Sequence, residues 1–239
     1  MINETQQTHL SILNLPWALD WSDIFHRQAP LILEIGFGYG HFLSYLNQTR
    51  PDANIIGIEV DHHCLDKVER LITREKMAYV RVLYAFADSA LRYLFTPNSL
   101  SEVHINFPDP WFKSRHSGRR LMQRETLDWI VDRLQIGAKL YLATDIADYA
   151  EMSNELLEST PALTNLLPTR WANERPHPVV TKYERRAIDD GRICHYFAYQ
   201  RNETPTPNYP VEKELPMPHI VIQTPLTLGA IAEKITPQN

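Results

Sequence analysis

Cysteine is scarce: 239 residues hold only Cys64 and Cys194, with no C-x-x-C pair. That removes a disulfide scaffold and a paired-cysteine zinc site, and MINETQQTHL lacks a basic and apolar leader. The two thiols are therefore expected to be free, in a cytoplasmic protein. No apolar run approaches the roughly 20 residues that span a bilayer, so no membrane association is expected. H-E-x-x-H, G-x-x-x-x-G-K-[ST] and G-x-S-x-G are all missing, which leaves zinc proteolysis, P-loop nucleotide hydrolysis and esterase chemistry without support. Asp61-His62-His63-Cys64 spells a string known from membrane acyltransferases, but those are cysteine-rich and membrane-spanning. Adjacent histidines cannot share one helical face, so this string reads as a helix start and no metal site is expected. Positive charge is also short, with 24 Lys and Arg against 29 Asp and Glu, a net −5. Wholesale coating of nucleic acid is excluded, and any such contact must come from a local patch.

What remains is an ordinary globular composition, 44% hydrophobic and 22% charged, enough for one sizeable α/β core. Short apolar runs alternate with amphipathic stretches, which reads as βαβα and a doubly wound, mainly parallel sheet. LILEI (31–35), NIIGIEV (54–60), YVRVLYAFAD (79–88), EVHINF (102–107) and AKLYLATD (138–145) are the expected strands. HFLSYLNQ (41–48), 61–76, RETLDWIVDRL (124–134, stopped by Gly137) and 146–159 are the expected helices. ICHYFAYQ (193–200) reads as a late strand pairing antiparallel at a sheet edge, and HIVIQ as one short strand. Seven of the 17 prolines follow residue 200. The expected organisation is an N-terminal apron over 1–30, with LPWALDW as a small helix, a catalytic domain over 31–200, and a proline-rich extension over 201–239.

The first strand leads into Gly36-Phe37-Gly38-Tyr39-Gly40. Glycines at a strand-to-helix turn let the backbone approach a nucleotide-like ligand. The dinucleotide fingerprint G-x-G-x-x-G fails, because His41 stands where its last small residue belongs. G-x-G-x-G preceded by Glu34 instead resembles motif I of the S-adenosylmethionine-dependent methyltransferases, whose ligand carries an ammonium and a sulfonium that favour carboxylates. Glu59, 19 residues after Gly40, could hold ribose hydroxyls, and Asp88 the adenine amino group. Each acid has a plainer role as well: Glu59 as a surface acid or helix cap, Asp88 as the cap of SALRYLF. Three acids at three successive strand ends favour an adenosyl pocket.

NFPDPWFKSRH (106–116) places Asp109 between two prolines past the fourth strand, with Phe107 and Asp109 expected to be extended. From Trp111 to Arg124 come Lys113, Arg115, His116, Arg119, Arg120 and Arg124 without one acid. This local reversal of sign suits phosphate contacts, although basic runs are more often solvated helix starts. Asp109-Pro110-Trp111-Phe112 also resembles the [D/N]-P-P-[Y/F] of enzymes that methylate an exocyclic amine, so an amine and a ring nitrogen both remain candidate acceptors.

From about Leu31 to Tyr199 the chain resembles the bacterial tRNA (guanine-N7-)-methyltransferases. The resemblance is carried by EIGFGYG, IGIEV, NFPDPW with the K-x-R-H-x-x-R-R-L run, ATDIADYAEM and TKYERR. It implies a seven-stranded, Rossmann-like methyltransferase sheet with an antiparallel edge. It also implies S-adenosylmethionine as cofactor, tRNA as partner, and methylation of guanine N7 at variable-loop position 46. Glu34, Gly36, Gly38, Gly40, Glu59, Asp88 and Asp109 would bind the cofactor, with Asp109 also catalytic. Lys113, Asp145, Thr181, Lys182, Tyr183 and Glu184 would contact the substrate, and Arg115, His116, Arg119 and Arg120 would track the RNA backbone. Asp145 could otherwise be a helix N-cap, Lys182 and Glu184 an exposed strand pair, and Trp111 either a base-stacking platform or core packing. A monomer or homodimer without an obligate partner is expected. Methylation of another base or a small molecule, and a non-catalytic RNA-binding subunit on the same scaffold, are the alternatives.

Overall fold

The computed structural model describes residues 10–11, 19–111, 118–206 and 221–223. Lys113, Arg115 and His116 lie outside the described residues, as does most of the region after residue 206. The chain opens with β1 (Leu10–Ser11), α1 (Trp21–Phe25), β2 (Leu31–Ile35), α2 (His41–Thr49), β3 (Asn54–Glu59) and α3 (His62–Glu75). Next come β4 (Val80–Tyr84), α4 (Ala87–Tyr93), β5 (Leu100–Asn106), α5 (Arg124–Arg133), β6 (Leu134–Thr144) and α6 (Ala147–Glu158). β7 (Leu163–Asn165), α7 (Lys182–Asp189), β8 (His195–Arg201) and β9 (Val221–Gln223) complete it.

Every residue of β2 is buried, which is why LILEI carries no alternation: helices cover both its faces. The sheet order is β1-β9-β4-β3-β2-β5-β6-β8-β7. β4, β3, β2, β5 and β6 run parallel, and β8 and β7 add antiparallel. Those seven strands are the sheet expected, and β9 and β1 extend it antiparallel beyond β4.

Alternation along the strands sorts two layers. Leu31, Leu33 and Ile35 face a core shared with α1, α4, α5 and α6, whereas Ile32 packs with Ile55, Val80 and Val82 under α2 and α3. Each fully buried aliphatic side chain contributes about 1.5–3 kcal/mol, and Leu33→Ala would cost roughly 2–5 kcal/mol. Gly57 in β3 admits no side chain, because a Cβ there would lie 2.6 Å from Phe37. The aromatic of the glycine turn is thereby seated on the sheet.

Several local expectations need correction. The strand expected over 79–88 ends at Tyr84, so Asp88 lies in the first turn of α4 behind Phe86, its N-cap, and caps nothing. Gly137 does not stop α5, which ends at Arg133; at φ +85° it sits within β6, where Leu100↔Leu134 steps to Glu102↔Lys139. β8 is not an edge strand, because three-residue β7 pairs outside it. Thr181–Glu184 opens a helix, not a strand. Phe107 is not extended: its φ is +54°, and Trp111 has +43°.

Candidate active site

Because β2 to β6 are parallel, the residues following them gather along one edge of the sheet, where open α/β folds bind ligands. The N-terminal end of antiparallel β8 reaches the same edge and brings α7 with it.

After β2, Gly36, Gly38 and Gly40 all adopt positive φ (+78°, +52° and +76°), which side-chain-bearing residues rarely tolerate. A Cβ on Gly36 would meet nothing within 4 Å, so this stretch of backbone is open to a ligand. Glu59 fastens the turn from β3: one carboxylate oxygen accepts from the Gly38 N–H at 2.9 Å, the other from Val60 at 2.7 Å and Asp61 at 3.2 Å. Exposed Val60 and Phe86, at the ends of β3 and β4, flank that edge with apolar surface. The sequence reading missed both, since only their exposure marks them.

Glu34 is the buried acid of the site, 1% exposed, with Asn106 Nδ2 donating to one oxygen at 3.3 Å. The other oxygen is buried without a hydrogen-bond partner. Burial pushes this carboxyl up to about 8, against the smaller lowering effect of Asn106 and with Glu59 repelling its charge. A cationic ligand group would convert it to a stabilised carboxylate. Acids at the edge, an open glycine turn and apolar flanks together suit a ligand with a cation, a sugar and an aromatic ring. A cavity of about 320 Å³ lies elsewhere, between α2 and the β5–β6–β8 face. Its lining reaches Asn106 but none of the glycines, nor Glu59, Asp88 or Asp109.

After β5, Phe107 donates its N–H to Ala143 at 2.8 Å, and exposed Asp109 follows between its prolines. Two bulky residues at positive φ bracket Pro108-Asp109-Pro110, a conformation that costs of order 1–3 kcal/mol per residue and needs outside support. Arg120 supplies it: Nε donates to Pro110 O at 2.9 Å and Nη2 to Trp111 O at 3.4 Å. Arg119 lies over the half-buried Trp111 ring, 5.2 Å from its centroid. Of the basic run, Arg120 is thus committed to the loop, and Arg124 is bound to Asp128, Leu156, Ser159 and Thr160.

Asp145, after β6, is no helix cap; Ile146 holds that position without a side-chain bond. Its carboxylate pairs with Arg192, which also bonds Asp190 at 2.9 Å. Arg192 was not singled out from sequence, and nothing local to it points to Asp145. Thr181 and Glu184 form a reciprocal capping box at the start of α7. Glu184 is fully buried: it accepts from Tyr196 OH at 2.6 Å and Thr181 N at 3.2 Å, and pairs with Arg175 at 2.7 Å. Tyr183 is half-exposed over the glycine turn, 3.6 Å from where a Gly38 side chain would start. Burial raises its phenol, with Cys64 adding, Lys182 opposing, and Asp109 and Glu59 adding less. One residue of α7 therefore feels both the Glu59 and the Asp109 side of the edge.

The strand order, the glycine turn, and Glu34, Glu59, Asp109 and Asp145 along one sheet edge are those of a class I methyltransferase domain. The fold likeness extends to "Structure of an Antibiotic Related Methyltransferase", at TM-score 0.55 and 17% identity, covering 76% of this chain and 92% of that one. Residues 28–196 match the methyltransferase family Methyltransf_4. The tRNA (guanine-N(7)-)-methyltransferase of Cupriavidus pinatubonensis is 37% identical over 175 residues, 72% of this chain and 68% of that protein. The protein of the same name from Paraburkholderia xenovorans is 38% identical over 173 residues, 72% of this chain and 66% of that protein. The chain belongs to the tRNA (guanine-N(7)-)-methyltransferase family. It spans just under two thirds of the length of some of these relatives, including the Paraburkholderia protein.

Proposed function

We propose that this protein transfers a methyl group from S-adenosylmethionine to N7 of guanine in tRNA, at variable-loop position 46. The observation that carries the reading is the exposed Asp109 on its clamped loop, at the sheet edge that also holds Glu34, the glycine turn and Glu59. S-adenosylmethionine supplies an electrophilic methyl group on a sulfonium. Glu34 and Glu59 with Gly36, Gly38 and Gly40 would hold the donor, Asp88 the adenine amino group, and Val60 and Phe86 the faces of its ring.

Guanine N7 presents an in-plane lone pair and no proton, so no general base is needed. Positioning is then the main task, an effect worth up to roughly 7–11 kcal/mol in ideal cases. Asp109 would accept from guanine N1 and N2 donors or stabilise positive charge as it reaches the purine. Asp145, held by Arg192, can add an acceptor, while Thr181 and Glu184 fix the helix start that presents Lys182 and Tyr183. Lys113, Arg115, His116 and Arg119 complete the proposed RNA contacts, and Arg120 serves the loop. The catalytic unit is taken as 31–200, with 1–30 and 201–239 as appended segments, acting in the cytoplasm as a monomer or homodimer. No helix among the described residues is long and apolar enough to cross a membrane.

The test is transfer of labelled methyl from S-adenosylmethionine to bulk tRNA, followed by borohydride reduction and aniline cleavage to map 7-methylguanosine. Cleavage at the variable loop is expected. Incorporation of label without cleavage there would move the acceptor to another atom or base.

A further inference from the structure

Tyr39, the fourth residue of the glycine turn, carries two ammonium groups over its ring. Lys67 reaches it from α3 and Lys182 from the first turn of α7, each with Nζ 4.0 Å from the ring centroid. The two nitrogens therefore lie no more than about 8 Å apart. Among the described residues neither lysine pairs with a carboxylate, unlike Arg50 on Glu102, Arg170 on Glu151 or Arg192 on Asp145. The ammonium of Lys182, and then that of Lys67, holds the Tyr39 phenol below its ordinary range. Two exposed like charges kept together in this way repel each other, and a cation–π contact at an exposed site is weak compensation. An anion placed between them would convert the repulsion into attraction.

We propose that Tyr39, Lys67 and Lys182 form a cradle for one backbone phosphate of the bound RNA, at the rim of the glycine turn. This deepens the tRNA reading and rests on it. A phosphate whose oxygens accept from both ammoniums at roughly 2.7–2.9 Å bridges a gap of this size, and the phenol adds a third donor. Lysine suits the task, being a compact point charge on a flexible stem that fixes register without reading sequence. Lys182 already belongs to the proposed substrate-binding segment, so the new members are Tyr39 and Lys67. A phosphate here would sit against both the turn that approaches the methyl donor and the helix that approaches the acceptor. RNA engagement would then press α7 onto the cofactor turn.

Binding of unmodified tRNA should be titrated over a salt series for the wild type, Lys67→Gln, Tyr39→Phe and Lys139→Gln. Lys139, exposed in the middle of β6, controls for loss of a positive charge. Lys67→Gln should weaken binding roughly three- to tenfold near 0.1 M salt and flatten the log–log salt slope by about 0.7–0.9, one phosphate contact. Lys139→Gln should leave the slope at its wild-type value, and Tyr39→Phe should weaken binding with the slope unchanged. Calorimetric affinity for S-adenosylmethionine should be the same in all four. A wild-type slope for Lys67→Gln overturns the proposal. So does weakened S-adenosylmethionine binding with tRNA binding intact, which would assign the anion to the cofactor's carboxylate. A wild type that neither binds nor methylates tRNA would instead sink the functional reading, and the cradle with it.

Discussion

Arg120 donates from Nε to the carbonyl of Pro110 at 2.9 Å, ten residues back along the chain. A second donor reaches Trp111 O, and Nη1 rests 3.3 Å from Met152 Sδ in α6. The guanidinium is thus a brace between the Asp109 loop and the body of the fold. Arg120→Lys separates this role from phosphate binding, because lysine keeps the charge but lacks the planar fork. The expected result is a kcat lowered roughly ten- to a hundredfold, since small misplacement at a reacting centre has effects of that size. The salt dependence of tRNA binding should not change. A wild-type kcat in Arg120→Lys, with a flattened salt slope in Arg120→Met, would return the residue to the RNA interface.

Glu34 makes the stability of the cofactor-free protein pH-sensitive. Its folded-state carboxyl lies at about 8 against an ordinary 4.5, so between those values the folded protein holds a proton that the unfolded chain has lost. Stability therefore falls as pH rises through that window, by up to about 1.4 kcal/mol per unit. Thermal melts of the cofactor-free protein should show Tm dropping from pH 5 to 8, and Glu34→Gln should flatten the curve. Binding of a cation beside Glu34 must expel the proton. Calorimetry near pH 7 in buffers of different ionisation enthalpy should then report release of close to one proton with S-adenosylmethionine, and none for Glu34→Gln.

Glu184 has its carboxylate committed to Tyr196, Thr181 and Arg175 within the protein's interior. Removing one member of a buried ion pair typically costs 3–5 kcal/mol; with Arg175 still 28% exposed, about 2–3 kcal/mol is expected. At roughly 2–4 °C per kcal/mol for a chain of this size, Glu184→Ala should lower Tm by several degrees. A direct guanine contact would behave differently, raising KM for tRNA at unchanged Tm.

How much of this was legible depended on whether the deciding contacts were local. LILEI and NIIGIEV announce themselves because strands covered on both faces are continuously apolar, and GFGYG because positive φ demands glycine. Asp109 could be found because prolines flank it. α7 was legible only in part: Thr181-x-x-Glu184 spells a capping box, but KYERRAID has only Glu184 and Ala187 buried, and the Arg175 and Tyr196 contacts that seat it come from elsewhere in the chain. The Arg120 brace and the Arg192–Asp145 pair were hidden for the same reason, since a cation's sequence neighbours do not reveal whether it meets a phosphate or a carbonyl. Asp88 was displaced by an early helix start, where Ala87 follows a phenylalanine N-cap that makes no side-chain bond.

Asp109 is exposed, and that tempers what its charge can do until an acceptor closes over it. A carboxylate near a developing unit charge is worth far less in water than in a site sealed by a bound nucleotide. Asp109→Ala should accordingly reduce the single-turnover methylation rate by between ten- and a thousandfold, the upper figure requiring full desolvation in the complex. Asp109→Asn divides the two roles left to it. An amide keeps one acceptor for the guanine edge but carries no charge, so a rate as low as that of Asp109→Ala would assign charge stabilisation, and partial recovery would assign orientation. Near-normal single-turnover rates in both variants would remove Asp109 from the chemistry and leave its proline frame as a loop support alone.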